Sequence, residues 1–463
     1  MSENIFGTAG VRGIFGKDLD HNFIYKLGAA VSEYFGAGTY LIGWDCRVTS
    51  LAIANIAVSS LLSMGNEVHV AGLITTPALQ KYIQDTKIYK GGLMITASHN
   101  PPEYNGIKVI RGDGVEISRK EEVSITKIFN ELDLDIKWYN VSSKVLNKED
   151  AAITYYIESL YNHIAPAVLK RKIKLGIDYA NCSSYVTIRR LVNLFHNFKL
   201  IEVNNEVNGL FPGRLPEPTP ENLKKTLKLF KKYSIDLGIA FDGDGDRGII
   251  IDENNRVYWG DEIGVLVAYY MAEDLGINAV VTPVSSSILV ETVLEPIGIK
   301  VVRTRVGAKN IVSKMIELNS ILGFEENGGI IYAPHLLARD GAITLIMTLN
   351  LLSKYRKSLS ELRKIFPTYY QFKLKYRLPK LDPSFKTEIL LKIKEEAKDI
   401  VRVEEIDGIK LFHSEDEWVL IRPSGTEPLI RIFTESRDKK KAKELAELYY
   451  RKIKSIASNI VTN

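Results

Sequence analysis

Three aspartates at alternating positions form the strongest chemical signal in the sequence. They stand in the run Asp242-Gly243-Asp244-Gly245-Asp246-Arg247, between two apolar stretches. Carboxylates this close repel one another, and a hard divalent cation with oxygen ligands relieves that repulsion. The glycines let the backbone curl around an ion, and coordination positions stay open for phosphate oxygens or water. The run therefore predicts a Mg²⁺ site, with Arg247 facing the anion that the ion holds.

A calcium EF-hand is excluded by the same run. Glu253 falls at the twelfth position, as an EF-hand loop requires, but the sixth position is Arg247 where that loop needs glycine. The flanking stretches also have the composition of strands rather than helices.

A serine follows another apolar stretch directly. Ser98 stands in Thr96-Ala97-Ser98-His99-Asn100-Pro101, whose last two residues favour a turn that exposes the hydroxyl. Such a serine suits nucleophilic attack or the carriage of a chemical group, although an ordinary turn has the same composition. We predict a hairpin-type turn at Asn105-Gly106-Ile107-Lys108, which would aim the Lys108 ammonium back at Ser98.

Two loops later in the chain have the composition of a sugar phosphate site. In Gly323-Phe324-Glu325-Glu326-Asn327-Gly328-Gly329, the Glu325 carboxylate and Asn327 amide can bind neighbouring sugar hydroxyls, and Val306-Gly307-Ala308-Lys309 supplies a cation upstream. In Arg422-Pro423-Ser424-Gly425-Thr426-Glu427-Pro428, with Arg431 shortly after, guanidinium groups, hydroxyls and backbone N–H groups can hold a phosphate. Taken alone, residues 323–329, which we call the sugar loop, are also typical of an ordinary glycine-rich turn.

A lesser glycine-rich loop lies near the amino terminus. Gly7-Thr8-Ala9-Gly10-Val11-Arg12-Gly13 carries one arginine and lacks the Gly-Lys-Ser/Thr ending of a P-loop.

Short apolar runs that alternate with segments of helical period predict an α/β fold with buried parallel strands. Ligand loops follow the carboxyl ends of such strands, which fits the motifs above. The clearest predicted strands are Tyr40–Trp44, Glu67–Ala71, Leu93–Thr96, Ile173–Asp178, Ile235–Phe241, Ala279–Pro283 and Val301–Arg305.

Length and composition indicate an ordinary multidomain enzyme. The 463 residues predict about three domains, with four allowed. A net charge of +5, from 61 basic and 56 acidic residues, argues against nucleic-acid binding by bulk charge. No apolar run approaches the roughly 20 residues that span a bilayer, and the first residues lack a signal core. We therefore expect a cytoplasmic enzyme, whose two cysteines, Cys46 and Cys182, are free thiols in a reducing compartment.

Together, the order and spacing of these motifs resemble the α-D-phosphohexomutase superfamily, which includes phosphomannomutase/phosphoglucomutase and phosphoglucosamine mutase. The similarity covers nearly the whole chain and includes Phe211-Pro212-Gly213-Arg214 and Pro216-Glu217-Pro218. It implies four domains around a central cleft, three of them related α/β domains with mixed sheets and the last a smaller C-terminal α+β domain. We expect a phosphoserine domain, a metal-binding domain, a sugar-recognition domain and a phosphate-binding domain at residues 1–150, 151–252, 253–367 and 368–463.

The resemblance also implies a role for each motif residue. Phosphorylated Ser98 is the group carrier. Independently of the resemblance, we expect Arg12 and Arg247 to stabilise the phosphoryl oxygens during transfer, and His99 and Lys108 to be the local candidates for proton transfer. The implied ligands of Mg²⁺ are Ser98, Asp242, Asp244 and Asp246. The implied sugar-binding residues are Glu325 and Asn327, and we expect the cations Arg247 and Lys309 to bind the substrate as well. The implied phosphate-binding residues are Arg422, Ser424, Gly425, Thr426 and Arg431.

Two positions depart from the family pattern. Phe324 stands where glycine often precedes the sugar-binding glutamate, and Gly329 replaces a histidine that ends some versions of the loop. That histidine therefore has no acid/base counterpart at this position.

The implied reaction interconverts hexose 1-phosphate and hexose 6-phosphate through a bisphosphorylated sugar, which also activates the enzyme. Mannose and/or glucose phosphates are the expected substrates, and glucosamine phosphate is a further candidate. The expected partners are small sugar phosphates, without nucleic acid or membrane, and a homodimer is left open. A phosphatase that uses Ser98, a non-catalytic binding protein and a pentose phosphate substrate are the alternatives.

Overall fold

The computed structural model describes residues 4–7, 9–378, 383–397, 400–424 and 428–462. Its strands form one sheet of six strands and three sheets of five. In the first sheet, with strand order β1-β5-β4-β2-β3-β6, β5 runs antiparallel to both of its neighbours and the other pairs are parallel. The elements of this part are β1 (Val11–Ile14), α1 (His21–Phe35), β2 (Thr39–Trp44), α2 (Ser50–Ser63), β3 (Glu67–Leu73), α3 (Thr76–Thr86), β4 (Tyr89–Ile95), β5 (Tyr104–Arg111), α4 (Arg119–Glu131) and β6 (Val145–Asn147).

The second sheet has the order β11-β10-β9-β7-β8, with β7 parallel to β8 and β9, and β10 antiparallel to both of its neighbours. Strands β9 and β10 are buried along their whole length, and their hairpin presents residues 242–247 at its tip. The elements are α5 (Glu149–Tyr161), α6 (Pro166–Leu169), β7 (Ile173–Asp178), α7 (Ser183–Val192), β8 (Phe198–Val203), α8 (Lys224–Tyr233), β9 (Leu237–Phe241), β10 (Gly248–Asp252) and β11 (Val257–Tyr258). Pairing of β11 with β10 extends this sheet past residue 252, where we expect a domain boundary.

The third sheet is also mixed, in the order β13-β12-β14-β15-β16. Its elements are α9 (Gly260–Leu275), β12 (Ala279–Pro283), α10 (Leu289–Leu294), β13 (Lys300–Thr304), α11 (Ala308–Leu318), β14 (Leu322–Phe324), β15 (Ile330–Tyr332), β16 (Leu336–Asp340), α12 (Gly341–Tyr355) and α13 (Leu359–Arg363).

The last sheet, β17-β21-β20-β19-β18, is antiparallel throughout and packs against two helices. Its elements are β17 (Tyr370–Arg377), α14 (Pro383–Glu395), β18 (Arg402–Glu404), β19 (Ile409–Ser414), β20 (Glu417–Pro423), β21 (Leu429–Ser436) and α15 (Lys439–Thr462). Three mixed α/β units followed by a smaller α+β unit confirm the predicted fold class.

The predicted hairpin-type turn at residues 105–108 is wrong. These residues lie inside β5, which is hydrogen-bonded to β1 on one side and to β4 on the other. Gly106 serves close strand packing, because a Cβ there would lie 2.4 Å from the carbonyl oxygen of Val11. Pairing on both sides of the strand overrides the local turn preference of Asn-Gly. Arg12, expected in a loop, likewise lies in β1.

The expectation of free thiols is also wrong, because Cys46 and Cys182 form a disulfide. The bond joins the turn after β2 to the start of α7, and so connects the first sheet unit to the second. Sequence spacing gives no sign of it, since 136 residues separate the two positions.

We expect reduction of this disulfide to lower the free energy of unfolding by about 2–5 kcal/mol, because the unfolded chain regains the entropy of a long loop. Guanidinium chloride unfolding with and without a dithiol reductant measures the effect. The Cys46→Ser/Cys182→Ser variant should resemble the reduced protein and show no response to reductant. Coincident curves for oxidised and reduced wild type would contradict the expectation.

Among the helices in the described part of the chain, none is both long enough and apolar enough to cross a membrane.

Candidate active site

The tip of the β9–β10 hairpin brings the three aspartates together in the interior. Asp242, Asp244 and Asp246 are buried, and one oxygen of each lies within 4.8 Å of the others. The Oδ1 atoms of Asp244 and Asp246 are buried and accept no hydrogen bond in the described structure. Buried oxygen ligands that lack a donor fit a hard cation such as Mg²⁺.

Ser98 from the first sheet unit lies against this cluster. Its Oγ donates a hydrogen bond of 2.7 Å to Asp242 Oδ2 and lies 3.3 Å from His99 Nδ1. The serine is fully buried in the turn between β4 and β5, and its φ of 51° is in the left-handed region. The structure therefore brings together two motifs that are 144 residues apart in the chain.

Electrostatics differ sharply within the aspartate triplet. Burial, together with the negative charges of Asp246 and Asp244, raises the pKa of Asp242 well above its usual range. Burial alone would also raise the pKa of Asp246, but the cations Arg339 and Lys108 outweigh it and hold that pKa below the usual range.

Lys108 on β5 reaches the aspartates rather than Ser98. Its buried Nζ lies 2.7 Å from Asp244 Oδ2 and 3.0 Å from Asp246 Oδ2. Burial lowers the pKa of this lysine, yet the two carboxylates outweigh burial and raise it. The ammonium therefore neutralises part of the charge of the triplet, and the predicted approach to Ser98 is absent from the contacts that the structure describes.

Three further cationic or basic groups lie in the Ser98 turn or contact that turn or the aspartates. Arg12 Nη1 donates to Asn100 Oδ1 at 2.6 Å, and burial lowers the pKa of its guanidinium. The buried Arg247 side chain places Nε 4.0 Å from both Asp242 Oδ2 and Asp246 Oδ1. Burial, helped by Arg247 and Arg12, also holds the pKa of His99 well below its usual value.

The predicted sugar loop connects β14 to β15, where it lies beside the same cluster. Glu325 is buried, with Oε1 accepting from the Gly307 backbone N–H at 3.1 Å and Oε2 from Arg339 Nη1 at 2.6 Å. Asn327 Oδ1 is buried and accepts no hydrogen bond within the described ranges. A fixed carboxylate and an open amide oxygen suit the recognition of sugar hydroxyls.

Arg339, which we did not predict from the sequence, joins the metal loop to the sugar loop. It lies in β16 and is buried, with Nη2 2.7 Å from Asp246 Oδ2 and Nη1 2.6 Å from Glu325 Oε2. In the sequence it is one arginine among many at a strand end, and nothing near it marks a site.

Replacing Arg339 by Met is expected to destabilise the protein by about 3–5 kcal/mol, because Asp246 and Glu325 lose the cation between them while staying buried. Denaturant unfolding measures this loss, and kcat/KM for a hexose phosphate should fall with it. Arg339→Lys, which can pair with one carboxylate at a time, should recover part of both. Equal stability of wild type and the Met variant would show that the ion pairs of Arg339 with Asp246 and Glu325 contribute nothing to the free energy of unfolding.

Lys309 lines the same cavity as Asp246 and Arg339, and its ammonium is paired with acidic side chains of the first unit. It stands in the first turn of α11, with Nζ 2.6 Å from Glu122 Oε1 and 3.6 Å from Glu116 Oε2. Those glutamates belong to the first sheet unit, so Lys309 connects the third unit to the first.

The predicted phosphate loop lies in the fourth sheet unit. Arg422 and Arg431 are direct cross-strand neighbours on β20 and β21, and Arg422 Nε donates to Asp407. Ser424 is buried beside them. Two guanidinium groups at paired positions favour an anion between them. The predicted residues Gly425 and Thr426 lie outside the described residues.

Four family models match the chain in order. They describe the α/β/α domains I, II and III and the C-terminal domain of phosphoglucomutase/phosphomannomutase, at residues 3–135, 154–256, 259–369 and 377–452.

Curated relatives and solved structures agree with these models. Phosphoglucosamine/phosphogalactosamine mutase of Sulfurisphaera tokodaii is 40% identical over 448 residues, 95% of this chain and 97% of that protein. Phosphoglucomutase/phosphomannomutase of Thermococcus kodakarensis is 37% identical, over 96% of this chain and 97% of that one. A crystal structure of a phosphoglucomutase/phosphomannomutase family protein from Burkholderia thailandensis has a TM-score of 0.85 and 22% identity, with 98% of each chain covered.

Three mixed α/β units and an α+β unit, with a buried serine beside three carboxylates, have the architecture of a phosphoryl-transfer enzyme. The chain belongs to the phosphoglucomutase/phosphomannomutase family of the α-D-phosphohexomutase superfamily. It is accordingly a phosphohexomutase, an isomerase that transfers a phosphoryl group within a hexose phosphate. The predicted family and enzyme class are confirmed.

Proposed function

We propose that this phosphohexomutase carries its phosphoryl group on Ser98. The observation that supports this most directly is the 2.7 Å hydrogen bond from the buried Ser98 Oγ to Asp242, at the edge of three clustered carboxylates. In the proposed reaction, the bond between Ser98 Oγ and phosphorus breaks while a hydroxyl of the hexose phosphate forms the new bond to phosphorus. The resulting sugar bisphosphate turns round in the cleft and returns its other phosphoryl group to Ser98.

Mg²⁺ fits the aspartate cluster best. Asp242, Asp244 and Asp246 would hold it together with an oxygen of phosphorylated Ser98, since all are oxygen ligands and two carboxylate oxygens lack donors. When bound, the ion would neutralise the negative charge that develops on the phosphoryl group during transfer. Free sugar bisphosphate would restore any enzyme that has lost its phosphate, and so act as an activator.

The groups around Ser98 would share the remaining work. Arg12 and Arg247 would stabilise the oxygens of the phosphoryl group in transfer, because Arg12 is bonded to Asn100 in the turn that carries Ser98 and Arg247 lies 4.0 Å from Asp242.

We assign to His99 the movement of the hydroxyl proton to Ser98 Oγ, because its Nδ1 lies 3.3 Å from that oxygen. Lys108, whose ammonium is bonded to Asp244 and Asp246, would instead hold these carboxylates in place. Neither assignment depends on which hexose is bound.

Recognition of the substrate would use the third and fourth units. Glu325 and Asn327 bind sugar hydroxyls, and Lys309 contacts the substrate once it leaves Glu122. The fourth unit would hold the phosphate that does not react, in both orientations of the sugar. The residues proposed for this grip are Arg422, Ser424, Gly425, Thr426 and Arg431.

Several hexose phosphates are candidate substrates. The Sulfurisphaera tokodaii relative is named for glucosamine and galactosamine phosphates and the Thermococcus kodakarensis relative for glucose and mannose phosphates. We propose mannose and/or glucose phosphates as substrates here, with glucosamine phosphate as a further candidate.

The deciding experiment supplies each hexose 1-phosphate with Mg²⁺ and a trace of sugar bisphosphate, and measures both hexose 6-phosphate and free phosphate. Conversion that depends on the bisphosphate, with phosphate on Ser98 by peptide mass spectrometry, is the expected result. Free phosphate as the main product would replace the mutase with a phosphatase. Binding without turnover of any hexose or pentose phosphate would leave a non-catalytic role and overturn the proposal.

The same proposal places the enzyme in the cytoplasm, with small sugar phosphates as its partners. Its relatives are metabolic enzymes, which supports that placement. Disulfides are rare in that compartment, but Cys182 is completely buried, which shields the Cys46–Cys182 bond from reductants.

We also propose the domain boundaries near residues 150, 252 and 367. Light scattering would test whether the protein forms a homodimer.

A further inference from the structure

Arg47 lies directly beneath the turn that carries Ser98, although none of the motifs includes it. Its side chain is fully buried in the connection between β2 and α2. Nη2 donates hydrogen bonds to the carbonyl oxygens of Ser98 (2.9 Å) and Asn100 (2.6 Å), and Nη1 to those of Pro101 (2.6 Å) and Tyr104 (2.8 Å). Four backbone carbonyl oxygens in and next to the β4–β5 turn therefore bind one planar, rigid cation.

Asp45 holds Arg47 from the opposite side and reaches the same turn. Its Oδ2 accepts from Arg47 Nε at 3.0 Å and from Thr96 Oγ1 at 2.7 Å. Thr96 Oγ1 in turn accepts from the backbone N–H of Ser98 at 2.8 Å. Ser98 is thus fixed at its amide through Thr96 and at its carbonyl through Arg47, and every guanidinium N–H of Arg47 has a partner.

The backbone of Ser98 needs such support. Its φ of 51° is a left-handed conformation, which is unfavourable for a residue with a Cβ and persists only when the surroundings hold it. Phosphoryl transfer also needs Oγ at a fixed place, because small displacements of a reacting atom are costly. The contacts of Arg47 meet both requirements at once.

Arg47 is also attached to the unit that carries the aspartates. Its neighbour Cys46 is disulfide-bonded to Cys182, and the ring of Phe211 lies 5.1 Å from the Arg47 guanidinium carbon. A Cβ at Gly209 would lie 2.4 Å from the Cys46 carbonyl oxygen, so the second unit packs tightly on this segment. The support under Ser98 is therefore anchored to the domain of Asp242.

We propose that Arg47 is a positioning residue for phosphoryl transfer, which holds the Ser98 turn so that Oγ keeps its place beside Asp242. The inference rests on the proposed role of Ser98 as phosphate carrier. Arg47 bonds to backbone oxygens and to Asp45, outside the residues assigned to sugar and distal phosphate. Its loss should therefore lower kcat and leave KM for the hexose phosphate nearly unchanged.

The test compares Arg47→Met, Arg47→Lys and Thr96→Val with wild type in steady-state mutase assays. We expect Arg47→Met to lower kcat about 10²-fold with KM within about threefold, and Arg47→Lys to recover part of kcat because it keeps the charge and some donors. Thr96→Val, a nearly isosteric change that removes the acceptor of the Ser98 N–H, should lower kcat about tenfold even if Arg47→Met fails to fold. Arg363→Met is the matched control, since Arg363 is a buried arginine that binds the carbonyl oxygens of Phe366 and Pro367. It should lose stability and keep its kcat.

Each outcome has a distinct meaning. A folded Arg47→Met enzyme with unchanged kcat, or one that loses activity only through KM, would overturn the proposal. Equal losses in Arg47→Met and Arg363→Met would show a general effect of instability and would also overturn it. Absence of phosphate on Ser98 in active wild type would instead reject the proposed function, whatever the variants do.

Discussion

Replacement of Ser98 by Ala is expected to lower kcat of the mutase about 10³-fold or more, equivalent to about 4 kcal/mol of lost transition-state stabilisation. The reason is that the variant has no oxygen on which to carry the phosphoryl group. Water cannot substitute for it, because a phosphoryl group given to water is lost from the sugar. Affinity for the hexose phosphate should stay within a few-fold, since the sugar and the distal phosphate are held by other units. Coupled assays of hexose 6-phosphate, with equilibrium binding of the 1-phosphate, separate the two effects.

A suitable control is Ser60→Ala, in the same unit. Ser60 is fully buried like Ser98, but its Oγ donates to the Tyr25 carbonyl oxygen within helix packing. This change should cost roughly 1 kcal/mol of stability and leave kcat within about twofold. Peptide mass spectrometry after incubation with sugar bisphosphate should find phosphate on Ser98 in wild type and in Ser60→Ala. Retention of activity by Ser98→Ala, with phosphate on another residue, would refute the assignment of the carrier.

Sequence patterns predicted the parts of the site whose signals are local. The aspartate run, the serine turn and the sugar loop each stand at the end of a buried strand, as expected. Their chemistry depends on residues within a few positions of one another, so the composition of one loop is sufficient to suggest it. The mixed sheets and the α+β class of the last unit followed from the resemblance rather than from periodicity, because short apolar runs do not show which strands pair.

The connections between loops were not predictable in this way. Arg339 meets Asp246 across 93 residues and Lys309 meets Glu122 across 187, and both contacts depend on how separate units pack. The same holds for Arg47, whose importance lies in backbone oxygens that have no sequence signature. The disulfide and the position of Asn105 inside β5 were mispredicted for the corresponding reason, since tertiary pairing outweighs local preference.

Replacement of Asp242 by Asn is expected to have opposite effects on activity and on the stability of the metal-free protein. Activity should fall about 10³-fold, or about 4 kcal/mol, because a proposed Mg²⁺ ligand loses its charge. Without metal, the folded protein should gain about 1 kcal/mol, because burial and the neighbouring carboxylates penalise the ionised form of Asp242 and raise its pKa, and a neutral side chain of the same shape carries no such penalty. The amide can still accept from the Arg247 backbone N–H and can donate to Ser98 Oγ, so no hydrogen bond need be lost.

Thermal unfolding of wild type and variant, in chelator and in excess Mg²⁺, tests both effects. Mg²⁺ should raise the Tm of wild type, as mass action requires for an ion that binds the folded protein. It should raise the Tm of Asp242→Asn by much less. Asp178→Asn is the matched control, because Asp178 is equally buried in the same unit but pairs with Arg214 at 2.8 Å. That variant should lose stability in both conditions and still respond to Mg²⁺. If Asp242→Asn responds to Mg²⁺ as wild type does, the ion binds elsewhere. A metal site would then no longer explain why the three carboxylates lie so close together.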